Sequence, residues 1–371
     1  MMVILYQSTP ETKRILDDLL ATGKYKDYSE IIGLAVMNLA VLQNELEQSG
    51  SFFHDDGSAA EALANSISVS HSDTFSSKHT IRKTRADYWS GNLTLFDFPK
   101  KATPPKDAPS IGAADPPADQ LSIDRWIFGQ HNRLLPIKAS CRAMANLLES
   151  DPDGLLLDKV SPDIAKSAAE LGAVLRSIDN RYGLKRGDAL ATAFPSEGKR
   201  KHSSLDRYVS QFIGQITRDG RLTGLPADLK LLDKPARESE LVILTEAGWE
   251  FALLKNPVLD KLNDDLPSSL SQEERDYLIN HISSKVPVEK AAYTAIVESI
   301  RSGFNTPTQL DDALRSTMSN EKLVAFGKSF LSSQRSGAVS RMADLGILER
   351  ERDGAHVKYT TLPSSDQFVE K

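Results

Sequence analysis

Apolar residues recur at helical spacing along most of this chain, and breaks in that pattern divide it into four stretches. In residues 1–48, Val3-Ile4-Leu5-Tyr6 is a short apolar run that predicts a strand. Thr9-Pro10-Glu11 follows, with Thr9 placed to cap a helix and Pro10 at its first position. Ile15, Leu16, Leu19 and Leu20 share one face, and Gly23 closes the helix. After the turn Lys24–Tyr28, Ser29 caps a second helix from Glu30 to about Leu46.

Residues 49–120 lose this periodicity. Five prolines (104, 105, 109, 116 and 117) fall between Lys101 and Asp119 with almost no apolar bulk, which predicts a disordered linker. Residues 78–101 differ. Lys78, Arg82, Lys83, Arg85, Lys100 and Lys101 alternate there with Tyr88, Trp89, Leu93, Leu95, Phe96 and Phe98, a composition expected to order on a protein partner.

From Leu121 the pattern is helical again, and it separates into residues 121–262 and 263–371. In the first, helices are predicted over Ile123–Leu148 with a bend or break at Pro136, over Ser161–Ile178 and over Ser203–Arg218. The strand Leu241–Leu244 then leads into a helix opened by Thr245-Glu246-Ala247-Gly248. In the second, helices are expected at Ser271–Ile282, Pro287–Ser302, Thr306–Arg315 and about Ser333–Leu345. Gly346 stops the last of these. Ile347–Arg352 and His356–Thr360 then flank Asp353-Gly354, a two-residue hairpin signal.

Composition narrows the chemistry. The chain has 371 residues, 40% hydrophobic content and a formal net charge of −6, which argues against coating nucleic acid over its whole surface. Local reversals of sign stand out against that background. Residues 322–358 hold seven Lys/Arg against four Asp/Glu, and residues 199–221 hold six against two. The single cysteine, Cys141, excludes an internal disulfide framework and sits among apolar helical residues as packing. No secretory leader and no membrane-length apolar run is visible, so a cytoplasmic location without membrane contact is expected. No phosphate loop, dinucleotide fingerprint or HExxH motif occurs, and the histidines lack ligand spacing. The expectation is therefore no enzyme, no cofactor, no metal site and no catalytic residue. Trp126, Phe128, His131, Asn132 and Arg133 form a dense polar-aromatic cluster, read as a helix-packing surface, with a pocket lining as the alternative.

Two resemblances rest on these residues. Residues 2–46, with the strand Met2–Gln7, Thr9-Pro10-Glu11, the Gly23–Tyr28 turn and Ser29-Glu30-Ile31-Ile32, resemble the ribbon-helix-helix family of prokaryotic DNA-binding dimers. A lone strand leaves its backbone unpaired, so a homodimer through residues 1–48 is the economical arrangement. The resemblance implies strands in the major groove and phosphate held near Tyr28, Ser29 and Glu30, with Tyr6, Lys24 and Lys26 as further contacts. The strand departs from the family pattern in carrying no Arg or Lys, and dimerisation alone is the alternative role.

Residues of about 287–362 resemble MarR-like and ArsR-like winged helices. That resemblance implies Arg335, Ser336, Ser340 and Arg341 facing the groove, and Arg350, Arg352, His356 and Lys358 on the wing's phosphate contacts. Protein contact alone is the alternative. Residues 121–262 carry a fainter winged-helix likeness in Leu244-Thr245-Glu246-Ala247-Gly248, with Lys199, Arg200, Lys201, Arg207 and Arg218 as candidate DNA contacts.

The expected fold is mainly α: a ribbon-helix-helix dimerisation unit, a disordered linker and one or two winged-helix modules. The expected function is a dimeric, sequence-specific regulator that binds double-stranded DNA at its own or a mobile-element or defence locus. The alternative is a non-enzymatic adaptor or plasmid-partition-type DNA-binding subunit of a larger complex.

Overall fold

The computed structural model describes residues 10–21, 27–28, 83–89, 91–101, 103–106, 108–109, 126–184, 187–196, 201–262, 267–316, 328–353 and 356–369. Residues 1–80 and 81–371 are separate compact units. In the first, helix α1 (Pro10–Ala21) forms where Thr9-Pro10 opens it. Tyr28 Oη donates to Asp17 Oδ1 at 2.5 Å, which ties the following turn back to the helix. The predicted strand at 3–6, the second helix to Leu46 and the candidates Tyr6, Lys24, Lys26 and Ser29 lie outside the described residues, as does most of the predicted linker.

The second unit is mainly helical. It opens with α2 (Arg85–Tyr88) and a 3-10 turn at Gly91–Phe96. This is the basic-aromatic segment expected to order on a partner, and its described part folds onto its own chain. Leu93 and Phe96 are buried in the common core. Arg85 stacks 4.0 Å over the Trp89 ring and donates to the Leu259 carbonyl at 2.6 Å. Trp89 Nε1 donates to Asp97 at 2.8 Å. The rings lose more water-exposed area by covering the neighbouring helices than they would by projecting into solvent, and their polar ends still find partners.

Helix α3 (Leu135–Leu148) begins at Pro136 rather than bending there, because a proline in the first turn sacrifices no helical hydrogen bond. Next come β1 (Leu155–Leu156) and α4 (Leu157–Tyr182). Helix α4 starts four residues before the expected Ser161 and carries Pro162 inside. Its C-terminus is closed by Gly183 in the left-handed region, φ 65°. Helix α5 (Lys201–Tyr208) widens into a π-turn at Val209–Ile213 and ends at Gly214, φ 127°, so the predicted continuation to Arg218 is instead strand β2 (Gln215–Ile216), paired with β3 (Leu222–Thr223). A short α6 (Leu225–Asp228) leads to β4 (Leu232–Asp233) and β5 (Leu241–Leu244), and β5 lies between β1 and β4 in a three-stranded antiparallel sheet. Thr245 caps α7 (Glu246–Leu253) as expected, its hydroxyl accepting from Gly248 N at 3.1 Å.

Helices α8 (Gln272–Lys285), α9 (Pro287–Arg301), α10 (Pro307–Ser316) and α11 (Lys328–Asp344) follow, close to the predicted positions. Gly346 stops α11 at φ 70°. Strands β6 (Leu348–Asp353) and β7 (His356–Thr361) then pair from Leu348↔Thr361 to Asp353↔His356. Among the described residues no helix is long and apolar enough to cross a membrane.

One core runs through the whole second unit, so residues 121–262 and 263–371 are not separate bodies. Its tightest tie is ionic. Lys138 and Arg142 stand one turn apart on α3, and both side chains are fully buried. Together they fill the C-terminal end of α7, where backbone carbonyls lack helical partners. Lys138 Nζ donates to Phe251 O at 2.5 Å and Leu254 O at 2.7 Å, while Arg142 donates to Ala252 O at 2.7 Å and Leu254 O at 2.8 Å.

One counter-charge, Glu274, comes from the other half, and the second, Asp260, from just before the division. Glu274, in the capping box of α8, lies 3.0 Å from Lys138 and is wholly buried. Asp260 lies 2.8 Å from Arg142. Buried Asn256 bridges the set, donating to Glu274 Oε2 at 2.9 Å and accepting from Val258 N and Leu259 N, each at 2.9 Å.

Removing one member strands its partner in the interior. Lys138→Met should therefore lower unfolding free energy by about 3–5 kcal/mol in urea titrations, and Lys138→Met/Glu274→Gln should recover part of that loss. Burial pulls the Lys138 ammonium down to about 8 from an ordinary 10.5, against the opposing pull of Glu274. Between those pH values the unfolded chain holds this proton more tightly, so the group's contribution makes stability rise with pH across that window. From pH 8 to 10 the wild type should gain on the order of 2 kcal/mol relative to the double variant.

Candidate functional site

The helix and hairpin at residues 328–361 carried the strongest expectation of DNA contact, and the structure turns most of that helix inward. Between Leu331 and Leu345 only Ser336 is exposed. Arg341 is 1% exposed and Arg335 6%. The placement of both, and of buried Ser340, at a groove-facing surface is corrected here.

Arg341 forms a two-armed pair with Glu289 of α9, at 2.6 and 3.0 Å, and also donates to the His131 carbonyl. Glu289 is itself fully buried. Arg335 pairs with Asp311 of α10 at 2.8 Å and donates to Tyr359 Oη on β7 at 3.3 Å. Arg341 spends three and Arg335 four of their five N–H donors on partners inside the helix cluster, and burial keeps the rest away from a base edge or phosphate.

The cause is the segment 126–134, which lies along α11. Gly129 and Gly337 touch backbone to backbone: a Cβ built on either would overlap main-chain atoms across the contact. Gly129 N donates to Gln334 Oε1. Arg133 pairs with Asp344 at 3.3 Å, and the other Asp344 oxygen accepts from Leu134 N at 2.9 Å. The polar-aromatic cluster seen in the sequence is thus a packing surface, as expected, and α11 is what it packs on.

The hairpin has two unlike faces, because strand residues alternate sides. Leu348, Arg350 and Arg352 share one face with Val357 and Tyr359; Glu349, Glu351 and Asp353 share the other with His356 and Lys358. Arg350 is only partly exposed, on the inner face, and donates to Gly187 O at 3.3 Å. Arg352 is exposed on the same face, its guanidinium against Gly187. Lys358 and His356 are exposed, with Lys358 directly opposite Glu351. The basic count of this region is therefore divided between an ion-paired interior and an outer face rich in carboxylates.

Elsewhere, Arg207 and Arg218 are exposed, while Lys199 and Arg200 lie outside the described residues and Lys201 opens α5. Arg207 sits on α5 and Arg218 in the turn after β2. Cys141 is fully buried, and burial lifts its thiol to about 12.

The sequence reading missed Lys138, Arg142, Arg275 and the Gly129–Gly337 contact. The first pair had a signal, two cations four residues apart in an otherwise apolar helix. The glycine contact had none, since only the fold brings residues 129 and 337 together. Compared with known protein families, curated proteins and solved structures, the chain matches none.

Arg341→Ala should destabilise the protein by about 3–5 kcal/mol, because it leaves Glu289 charged and buried. Arg335→Ala, whose partner is less enclosed, should cost about 1–3 kcal/mol. Gly337→Ala should cost at least about 1–3 kcal/mol through overlap with Gly129. Chemical denaturation of the three variants checks the order; equal, negligible losses for both arginine variants would show that these pairs are not formed.

Proposed function

We propose that this chain is a non-enzymatic adaptor associated with DNA, in which the N-terminal unit supplies self-association and DNA contact and residues 81–371 act as a rigid interaction body. The observation that carries this reading is the burial of Arg335 and Arg341. The order of α9, α10, α11 and the β6–β7 hairpin fits a winged-helix module, but the helix that would enter a groove is walled in by residues 126–134. A side chain held in a buried ion pair would have to break it before reading a base, at a cost larger than a typical base contact returns. The N-terminal assignment rests on the ribbon-helix-helix resemblance and agrees with the formation of α1.

A second reading is favoured by the exposed Arg352, Lys358, Arg207 and Arg218. In it the chain is a DNA-binding regulator whose hairpin edges touch phosphate without base readout.

Fluorescence anisotropy of the full chain with duplex DNA at two salt concentrations separates the two. Lys24→Glu/Lys26→Glu should weaken binding about tenfold or more and flatten the salt dependence by about two ions. Arg352→Glu/Lys358→Glu should leave affinity within about twofold. The reverse pattern would overturn the adaptor reading in favour of the regulator.

A further inference from the structure

A cleft of about 560 Å³ opens beside Gly187, between the 187–190 loop, the end of α11, the start of β6 and the first turn of α8. Its size falls in the range of small-molecule sites. Six charged side chains line it: Arg133, Arg275 and Arg350, and Asp188, Asp344 and Glu349.

The formal balance is even, but the environments differ. Asp344 has both oxygens engaged, one by Arg133 and the other by Leu134 N. Asp188 and Glu349 are exposed and keep their water. Arg275 and Arg350 are partly buried, and among the described residues neither forms a carboxylate ion pair. Arg350 makes a single long bond, to the Gly187 carbonyl, and that oxygen is shared with Arg133 Nη1 at 3.0 Å. Arg275 Nε is buried and has no hydrogen-bond partner among the described residues, while its Nη2 donates to Ser268 Oγ at 2.6 Å. A buried cationic donor left without an acceptor, as at Arg275 Nε, is costly, and an anion in the cleft would supply one. Burial and the neighbouring Arg133 charge push Arg350 below the ordinary arginine range, against the opposing pull of Asp188 and Asp344. Arg352, on the same hairpin face as Arg350, adds a further positive group against Gly187.

We propose that this cleft binds a phosphate-bearing small molecule of about mononucleotide size, its phosphoryl oxygens accepting from Arg350 and Arg275 with Arg133 behind them. Planar guanidiniums match phosphate oxygens in pairs, and the remaining volume accommodates the body of the ligand. The site joins α11 and β6 to the 187–190 loop, so an occupant would bridge the hairpin to the helical body. This inference stands apart from DNA binding, since it is read without DNA.

Isothermal titration of the full chain with a nucleoside 5′-monophosphate, the matching nucleoside, inorganic phosphate and a short unphosphorylated oligonucleotide tests it. The monophosphate should bind saturably and the nucleoside at least about tenfold more weakly, with inorganic phosphate competing. Arg350→Gln and Arg275→Gln should each weaken binding about tenfold with circular dichroism unchanged. Should either variant unfold, Asp188→Asn keeps the test open: it removes an exposed rim carboxylate and should tighten binding a few-fold. No saturable binding of monophosphate or phosphate would overturn the proposal. So would affinity unchanged in Arg350→Gln or Asp188→Asn, and so would binding of the oligonucleotide alone, which would make the arginines a backbone contact.

Discussion

Two cations on α3 have to be kept satisfied out of water, and the arrangement of the second unit follows from how that is done. Lys138 and Arg142 meet the unpartnered carbonyls at the end of α7, and their counter-charges are Asp260 and Glu274, contributed by the stretch that enters α8. A buried ion set of this kind is weak as a source of stability, because desolvation cancels much of the attraction. It is strong as a constraint on geometry, because any arrangement that separates α3 from α8 exposes several unpaired charges at once. That is why a chain whose sequence divides near residue 262 folds as one body from residue 81 onward.

The segment just before α3 applies the same logic to α11. Arg341 reaches the His131 carbonyl as well as Glu289, and Asp344 returns the contact through Arg133 and Leu134 N. Residues 129–142 therefore hold α11 on one side and the α7–α8 corner on the other. The glycine pair at 129 and 337 allows main chains to approach closely enough for these polar groups to meet. A helix gripped in this way is a structural strut, and the adaptor reading takes its weight from that fact.

Charge counting along a sequence treats all arginines alike, and this protein shows why that is incomplete. Of the arginines between residues 335 and 352, two are neutralised inside, one borders an enclosed cleft and one is exposed. Strand alternation sends the carboxylates of β6 to the outer face of the hairpin and its arginines to the inner face. The positive character of the region is thereby moved from the outer surface toward the loop at Gly187, where the anion cleft is proposed.

The sequence by itself determined the local elements wherever the signal was local. Thr245 and Ser271 cap their helices, Gly346 stops α11, and a hairpin forms where Asp353-Gly354 signalled one, with Asp353 itself paired to His356. Apolar periodicity placed most of the helices because burying one face is a property of consecutive residues. The tertiary structure alone decided which polar residues face solvent. Arg335 and Arg341 carry the same side chain as Arg352, and nothing within a few residues of them encodes the presence of Asp311, Glu289 or Gly129. Ion pairing and burial depend on partners far away in the chain, so the residues expected to read DNA were legible as arginines but not as surface.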